Sequence, residues 1–175
     1  STSLSVKWNP DGTEIAFLGI LKHIPGRKPI EHYVSFLDMK GLGANEDPVW
    51  APSRFKRKSD RKFTMKDKKG ELIQAGTTLL AWDPQGRRIA VTIYKREKRD
   101  VGISPGGNTV EGPVIHIYSK VGTLLHELEV KDLFRRPKSG GGGGGGVASL
   151  AWSPDGFKIA AGLTDGTIRI FKTPK

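Results

Sequence analysis

Val147 to Phe171, VASLAWSPDGFKIAAGLTDGTIRIF, reads as three short strands joined by two tight turns. Ala148, Leu150 and Trp152 recur at every second residue, the period of a strand with one buried face. Ser153-Pro154-Asp155-Gly156 then reverses the chain. Proline presets φ, the aspartate side chain bonds nearby backbone, and glycine accepts a positive φ. A second apolar strand, Lys158 to Gly162, follows. Asp165-Gly166 is a strong hairpin signal, and Thr167 to Phe171 completes the unit.

The first half of this unit occurs twice more, as SLSVKWNPDGTEIAFLG (Ser3 to Gly19) and TTLLAWDPQGRRIAVTI (Thr77 to Ile93). Aligned on Trp8, Trp82 and Trp152, the copies share Pro10, Pro84 and Pro154, then Gly12, Gly86 and Gly156. They go on to share Ile15, Ile89 and Ile159, then Ala16, Ala90 and Ala160. A pattern held through three copies marks a repeat architecture, and repeats are settled before any local reading. Tyr33 to Asp38 and Val114 to Tyr118 supply the third strands of the first two copies. The tryptophans are expected in the core.

The order strand, SPDG-type turn, strand, DG turn, strand "TIRIF" resembles the blade of the WD-repeat β-propellers. Tyr118-Ser119 and Phe171-Lys172 stand where that family carries Trp-Asp, and no Gly-His precedes the first strands. The resemblance therefore implies degenerate blades without the family's hydrogen-bonded tetrad. The wording WNPDGTEIAFLG also resembles the TolB-type propeller repeat, which has the same architecture. The expected fold is all-β: a β-propeller of WD-repeat type with about three blades in an incomplete ring.

Blade one is assigned to residues 3–75, with a basic insert at 54–69; Glu71 to Ala75 is a candidate for its outer strand, and the sequence leaves open whether that strand precedes or follows the basic run. Blade two spans 77–130, with Thr123 to Val130 outermost. A glycine-rich linker, 139–146, leads to blade three, 147–172. The tryptophans lie 74 and then 70 residues apart, where a plain blade takes ~40–45. The excess goes to Leu21 to Ile30, to loop over Lys40 to Pro52 and the basic run, to Lys95 to Pro113, and to Lys131 to Gly146. The seven glycines, Gly140 to Gly146, form a tether without side chains to pack. A natural loop and an engineered replacement for a longer one read alike here. Propellers close with roughly four to eight blades, so three leave open edges that pair with other chains. The missing blades are expected from a longer parent chain or a partner chain, with pairing of two copies as the remaining route. The opening STSLSVKWNP is already strand one, without a signal peptide or initiator methionine, as in an excised fragment.

The 175 residues hold 29 Lys and Arg against 18 Asp and Glu, a net charge of +11 and a pI near 10.0. With no cysteine, disulfides and cysteine-based metal or nucleophile sites are excluded. His23, His32, His116 and His126 lack metal spacing, and no nucleophile elbow or carboxylate pair stands out. No catalytic residue, cofactor, metal or membrane span is expected. The run Arg54 to Lys69, RFKRKSDRKFTMKDKK, holds nine Lys or Arg and two Asp. Arg54, Lys56, Arg57, Lys58, Arg61 and Lys62 are the candidate partner- or phosphate-binding residues. Phe55 and Phe63 are interleaved in the run as base-stacking candidates. Trp50, between Pro48 and Pro52, is the candidate anchor for a partner pocket. The family resemblance implies a non-enzymatic scaffold in a larger complex, nuclear or cytoplasmic. Its partners are other protein subunits, one of them completing the propeller. The alternatives are an RNA- or DNA-binding subunit using residues 54–69, and the propeller part of a larger hydrolase.

Overall fold

The computed structural model describes residues 5–20, 32–39, 61–66, 68–70, 76–97, 109–130 and 146–174. They form three antiparallel sheets, each in chain order, with no helix among the described residues. Sheet one holds β1 (Val6–Trp8), β2 (Glu14–Ile20), β3 (His32–Asp38) and β4 (Arg61–Thr64). Sheet two holds β5 (Gly76–Trp82), β6 (Arg88–Glu97), β7 (Thr109–Ser119) and β8 (Leu124–Glu129). Sheet three holds β9 (Val147–Trp152), β10 (Lys158–Leu163) and β11 (Ile168–Lys172).

The repeated turn is built alike in all three sheets. The amide after each tryptophan donates to the second strand: Asn9 to Glu14, Asp83 to Arg88, Ser153 to Lys158, at 2.8–3.0 Å. The turn glycines Gly12, Gly86 and Gly156 donate back to the carbonyls of Asn9, Asp83 and Ser153. All three have positive φ, 71°, 64° and 74°, which an L side chain adopts only at a cost. The turn aspartates serve as sequence chemistry requires. Asp11 accepts from the Thr13 amide at 2.8 Å and Asp155 from the Phe157 amide at 2.9 Å.

Two cores lie between the sheets, and the strands β5 and β6 of sheet two contribute apolar residues to both. Ile89, Val91, Ile93 and Tyr118 pack toward sheet one, against Ala16, Leu18, Val34, Phe36 and Met65. Ala90, Ile115, Ile117 and Val130 pack toward sheet three, against Ile159, Ala161 and Leu163. A polar thread crosses the first core. The Tyr118 hydroxyl donates to the Lys66 carbonyl at 3.1 Å, and His116 Nδ1 lies 3.0 Å from the same hydroxyl. On the other side of that ring, His116 Nε2 is 3.0 Å from Glu127 Oε2 but poorly aligned for a hydrogen bond.

Several sequence expectations are corrected. The outer strand of sheet one is Arg61–Thr64, inside the basic run, and not Glu71 to Ala75, which lies outside the described residues. The register Tyr33↔Thr64 to Phe36↔Arg61 fixes it. Phe63 is no stacking platform: it sits 5.9 Å from the Phe36 ring and 5.2 Å from Tyr118, and Met65 behind it is fully buried. Lys95 to Pro113 is not wholly a loop. β6 and β7 extend into it from either side, pairing Tyr94 with Pro113 and Glu97 with Thr109, while residues 98–108 lie outside the described set. Gly146, last of the glycines, is buried and exchanges two hydrogen bonds with Thr164. Residues 140–145 lie outside the described set.

Gly12 and Gly86 separate two costs. A Cβ at Gly12 meets nothing within 4 Å, whereas one at Gly86 falls on the Asn9 side chain of sheet one. Gly12→Ala should therefore cost about 1 kcal/mol for the positive φ alone, and Gly86→Ala about 2–3 kcal/mol once the sheets must part. Urea unfolding of the two variants checks the order. The Asp155 carboxyl is held below its ordinary pKa by the Ser153 hydroxyl and then by the Phe157 amide. A depressed folded-state value contributes stability above the usual carboxylate range and loses it as pH falls through the lower value. Asp155→Asn should accordingly flatten the stability curve below about pH 4, measured by denaturant midpoints.

Candidate interaction surfaces at the open ends of the array

The junctions between sheets follow one plan. The Trp82 indole Nε1 donates to the carbonyl of Lys7, 3.3 Å away, and the Trp152 Nε1 to the carbonyl of Ala81, at 3.2 Å. In each case the acceptor is the residue just before the tryptophan of the preceding sheet. A cation caps each ring. Arg88 lies 4.7 Å from the Trp152 centroid, its guanidinium anchored to Asp83 at 2.9 Å and donating to the carbonyls of Gly156 and Pro174. Lys120 lies 5.9 Å from the Trp82 centroid and pairs with Glu14 of sheet one at 2.7 Å. Glu14, Arg88 and Lys158 occupy the same position of the repeat, six residues after the tryptophan.

That plan is interrupted at both ends. Trp82 is 8% exposed, but Trp8, with no sheet ahead of it among the described residues, is 54% exposed. Val6 on the same strand is exposed as well. At the other end, register aligns Ala16↔Phe36, Ala90↔Ile117 and Ala160↔Ile170, and likewise Leu18↔Val34, Thr92↔Ile115 and Gly162↔Ile168. In sheets one and two all eight of these residues are buried under the next sheet. In sheet three, Ile168 is 72% and Ile170 68% exposed. Exposed side chains of that size, contiguous on one face, mark a surface built to be covered.

Sequence reasoning placed the tryptophan side of each strand in the core and missed the opposite side. The signal was present: TIRIF is apolar at Ile168 and Ile170 as well as at Phe171, and strands covered on both faces read as near-continuous apolar runs. The expectation that the three repeat tryptophans are core fails at Trp8 because burial there depends on a neighbour, not on the strand. Of the predicted site residues, Trp50, Arg54, Lys56, Arg57 and Lys58 lie outside the described residues. Arg61 and Lys62 fall in β4, opposite Phe36 and Ser35. The basic run is thus divided. Residues 54–60 precede the outer strand, and 65–69 follow it, with Met65 in the core. Among the described residues no cluster of His, Asp or Glu is arranged to hold a metal ion. No described helix is long and apolar enough to cross a membrane.

Three sheets of one plan, stacked face to face with their first strands bonded through tryptophan, are blades of an incomplete β-propeller. Residues 138–172, sheet three and its lead-in, match the family described as WD domain, G-beta repeat. No curated protein matches the chain. Among solved structures, Kuenenia stuttgartiensis hydrazine synthase is similar at 13% identity with a TM-score of 0.49, over 98% of this chain and 45% of that one. The tricorn protease is similar at 11% identity with a TM-score of 0.36, over 96% of this chain and 21% of that one. The chain spans less than half the length of the first and about a fifth of the second.

The indole bond is open to a matched pair of substitutions. Trp82→Phe keeps an aromatic ring but loses the N–H to Lys7, and should cost about 1–2 kcal/mol. Trp8→Phe, whose ring is already in solvent, should stay within about 0.5 kcal/mol of the parent. Thermal or urea unfolding of the chain distinguishes them.

Proposed function

We propose that the chain is a non-enzymatic interaction scaffold in which rigid blades present a basic segment to an acidic protein surface. WD repeats serve in general as platforms for protein association, and the match over residues 138–172 supports that general role. The finer reading rests on one observation: the basic run is tied to the frame. Its Arg61–Thr64 portion pairs with β3, and Phe63 and Met65 are packed into the first core. Arg54, Lys56, Arg57 and Lys58 therefore sit a few residues from a fixed strand, which limits the entropy lost when they engage a partner. Trp50 would add an aromatic anchor. Withdrawal of Phe63 into the core removes one of two stacking rings and weighs against a nucleic-acid platform. An acidic subunit of a nuclear or cytoplasmic complex fits the excess of positive charge.

The test compares two polyanions, poly-glutamate and a single-stranded RNA of similar charge, at about 50 and 200 mM salt. Poly-glutamate should bind, and joint replacement of Arg54, Lys56, Arg57 and Lys58 by Glu should weaken it at least about tenfold. Binding unchanged by the substitutions would overturn the assignment of the segment. Clear preference for RNA, with a steep salt dependence, would make nucleic acid the partner.

A further inference from the structure

A row of buried polar groups links the end of the basic segment to β8, and its protons follow by elimination. A carbonyl only accepts, so the 3.1 Å bond from Tyr118 to Lys66 uses the single hydrogen of the tyrosine hydroxyl. Toward His116 Nδ1, 3.0 Å away, that oxygen can then only accept, and Nδ1 must carry a hydrogen. The other ring nitrogen, Nε2, lies 3.0 Å from Glu127 Oε2. Two bare lone pairs at that distance would repel, so a proton belongs there as well. The poor alignment of this contact favours an imidazolium facing a carboxylate over a neutral O–H···N bond, because charge attraction survives off-axis geometry better than a hydrogen bond does. His116 is fully buried, and a buried charge is tolerated only where it is paired. Glu127 sits opposite it in the β7–β8 register, and Glu129 shares that face one pair further along, whereas His126, opposite Ile117, lies on the other face. β6 sets the uncharged Val91 beside it. Sheet one brings Phe63 and Met65 to the Tyr118 ring, and the Lys66 side chain is exposed.

We infer that His116 is a proton-controlled latch that fastens the end of the basic segment to blade two. Charged, it donates at both nitrogens and leaves the tyrosine hydrogen to Lys66. One proton can leave for solvent past Glu127, whose side chain is 8% exposed. Nε2–H then stays against the carboxylate, and Nδ1 is left as an acceptor. The Tyr118 hydroxyl turns its hydrogen to Nδ1, its oxygen faces the Lys66 carbonyl lone pair to lone pair, and the bond to the segment is given up. An unfolded imidazole holds the proton only below about pH 6.5. A proton held more tightly in the folded chain contributes stability that is complete below that value and fades as pH rises through the folded midpoint. As control over how the basic segment is presented, the latch rests on the scaffold reading; as a contact between blades it does not.

Long-range proton–nitrogen NMR of the full 19.1 kDa chain reads the ring directly. At about pH 6 both His116 nitrogens should show imidazolium shifts, with a deprotonation midpoint above about 6.5. The amides of Phe63 to Lys66 should shift with that same midpoint. Glu127→Gln keeps the side-chain shape without its charge and should lower the midpoint by at least about one unit. In Tyr118→Phe, His116 should still titrate while the Phe63 to Lys66 amides cease to follow it. A bare nitrogen on His116 at about pH 6, or a midpoint below about 6.5, overturns the charged state; a midpoint unmoved by Glu127→Gln overturns the pairing. Amides of Phe63 to Lys66 that ignore the titration in the parent protein overturn the latch. Since the parent protein alone gives the first and last of these readings, a variant that fails to fold does not remove the test. None of them involves poly-glutamate, so failure of the latch and failure of the scaffold reading are told apart.

Discussion

An indole N–H reaching back to the backbone of the preceding blade sets the geometry of the array. The acceptor belongs to a residue already paired with its own second strand, at Lys7↔Ala16 and Ala81↔Ala90. Its second lone pair is free for the tryptophan. Because donor and acceptor sit at fixed places in the repeat, the bond holds consecutive inner strands in one stagger. The small residues of the column Ala16, Ala90 and Ala160 let the next sheet approach. The capping cations, Lys120 and Arg88, then close the polar end of each ring against water. Cation–aromatic contacts contribute about 0.5–2 kcal/mol each, depending on desolvation. They are thus comparable to the indole bonds they cover.

A blade that is apolar on both faces cannot end an array without cost. Blade two solves this with a core on each side, and Ile115 and Ile117 are fully buried only because blade three lies over them. The same residue types in blade three remain in water. At ~25 cal/mol per Å², leaving two isoleucines largely uncovered forgoes a few kcal/mol of stabilisation. That deficit is the physical reason to look for a partner at the ends rather than in a pocket.

The basic run shows how charge and core compete within one segment. Read by charge alone, Arg54 to Lys69 is a solvated loop. Yet Phe63 and Met65 alternate within it, and the outer edge of β3 offers unpaired backbone. Burial of those two side chains against Phe36 and Tyr118 outweighs the preference of lysine and arginine for open solvent, since the charged neighbours stand at the array's outer edge. The result is a charged segment whose Arg61–Thr64 portion is held in the sheet.

Local chemistry was readable from the chain alone. The Trp-x-Pro-x-Gly column, the period-two strands and the turn residues specify three sheets and the conformation of their turns, because φ preferences and side-chain alternation act over a few residues. What the sequence could not reveal is which apolar face is covered. Trp8, Trp82 and Trp152 are one residue type in one local pattern, yet one is buried, one half-buried and one exposed. Equally, Arg61–Thr64, inside a run that reads as charged, became the outer strand beside β3. Both outcomes depend on which sheet lies alongside and which edge is vacant. Those are contacts between residues distant in sequence, and only the assembled structure determines them.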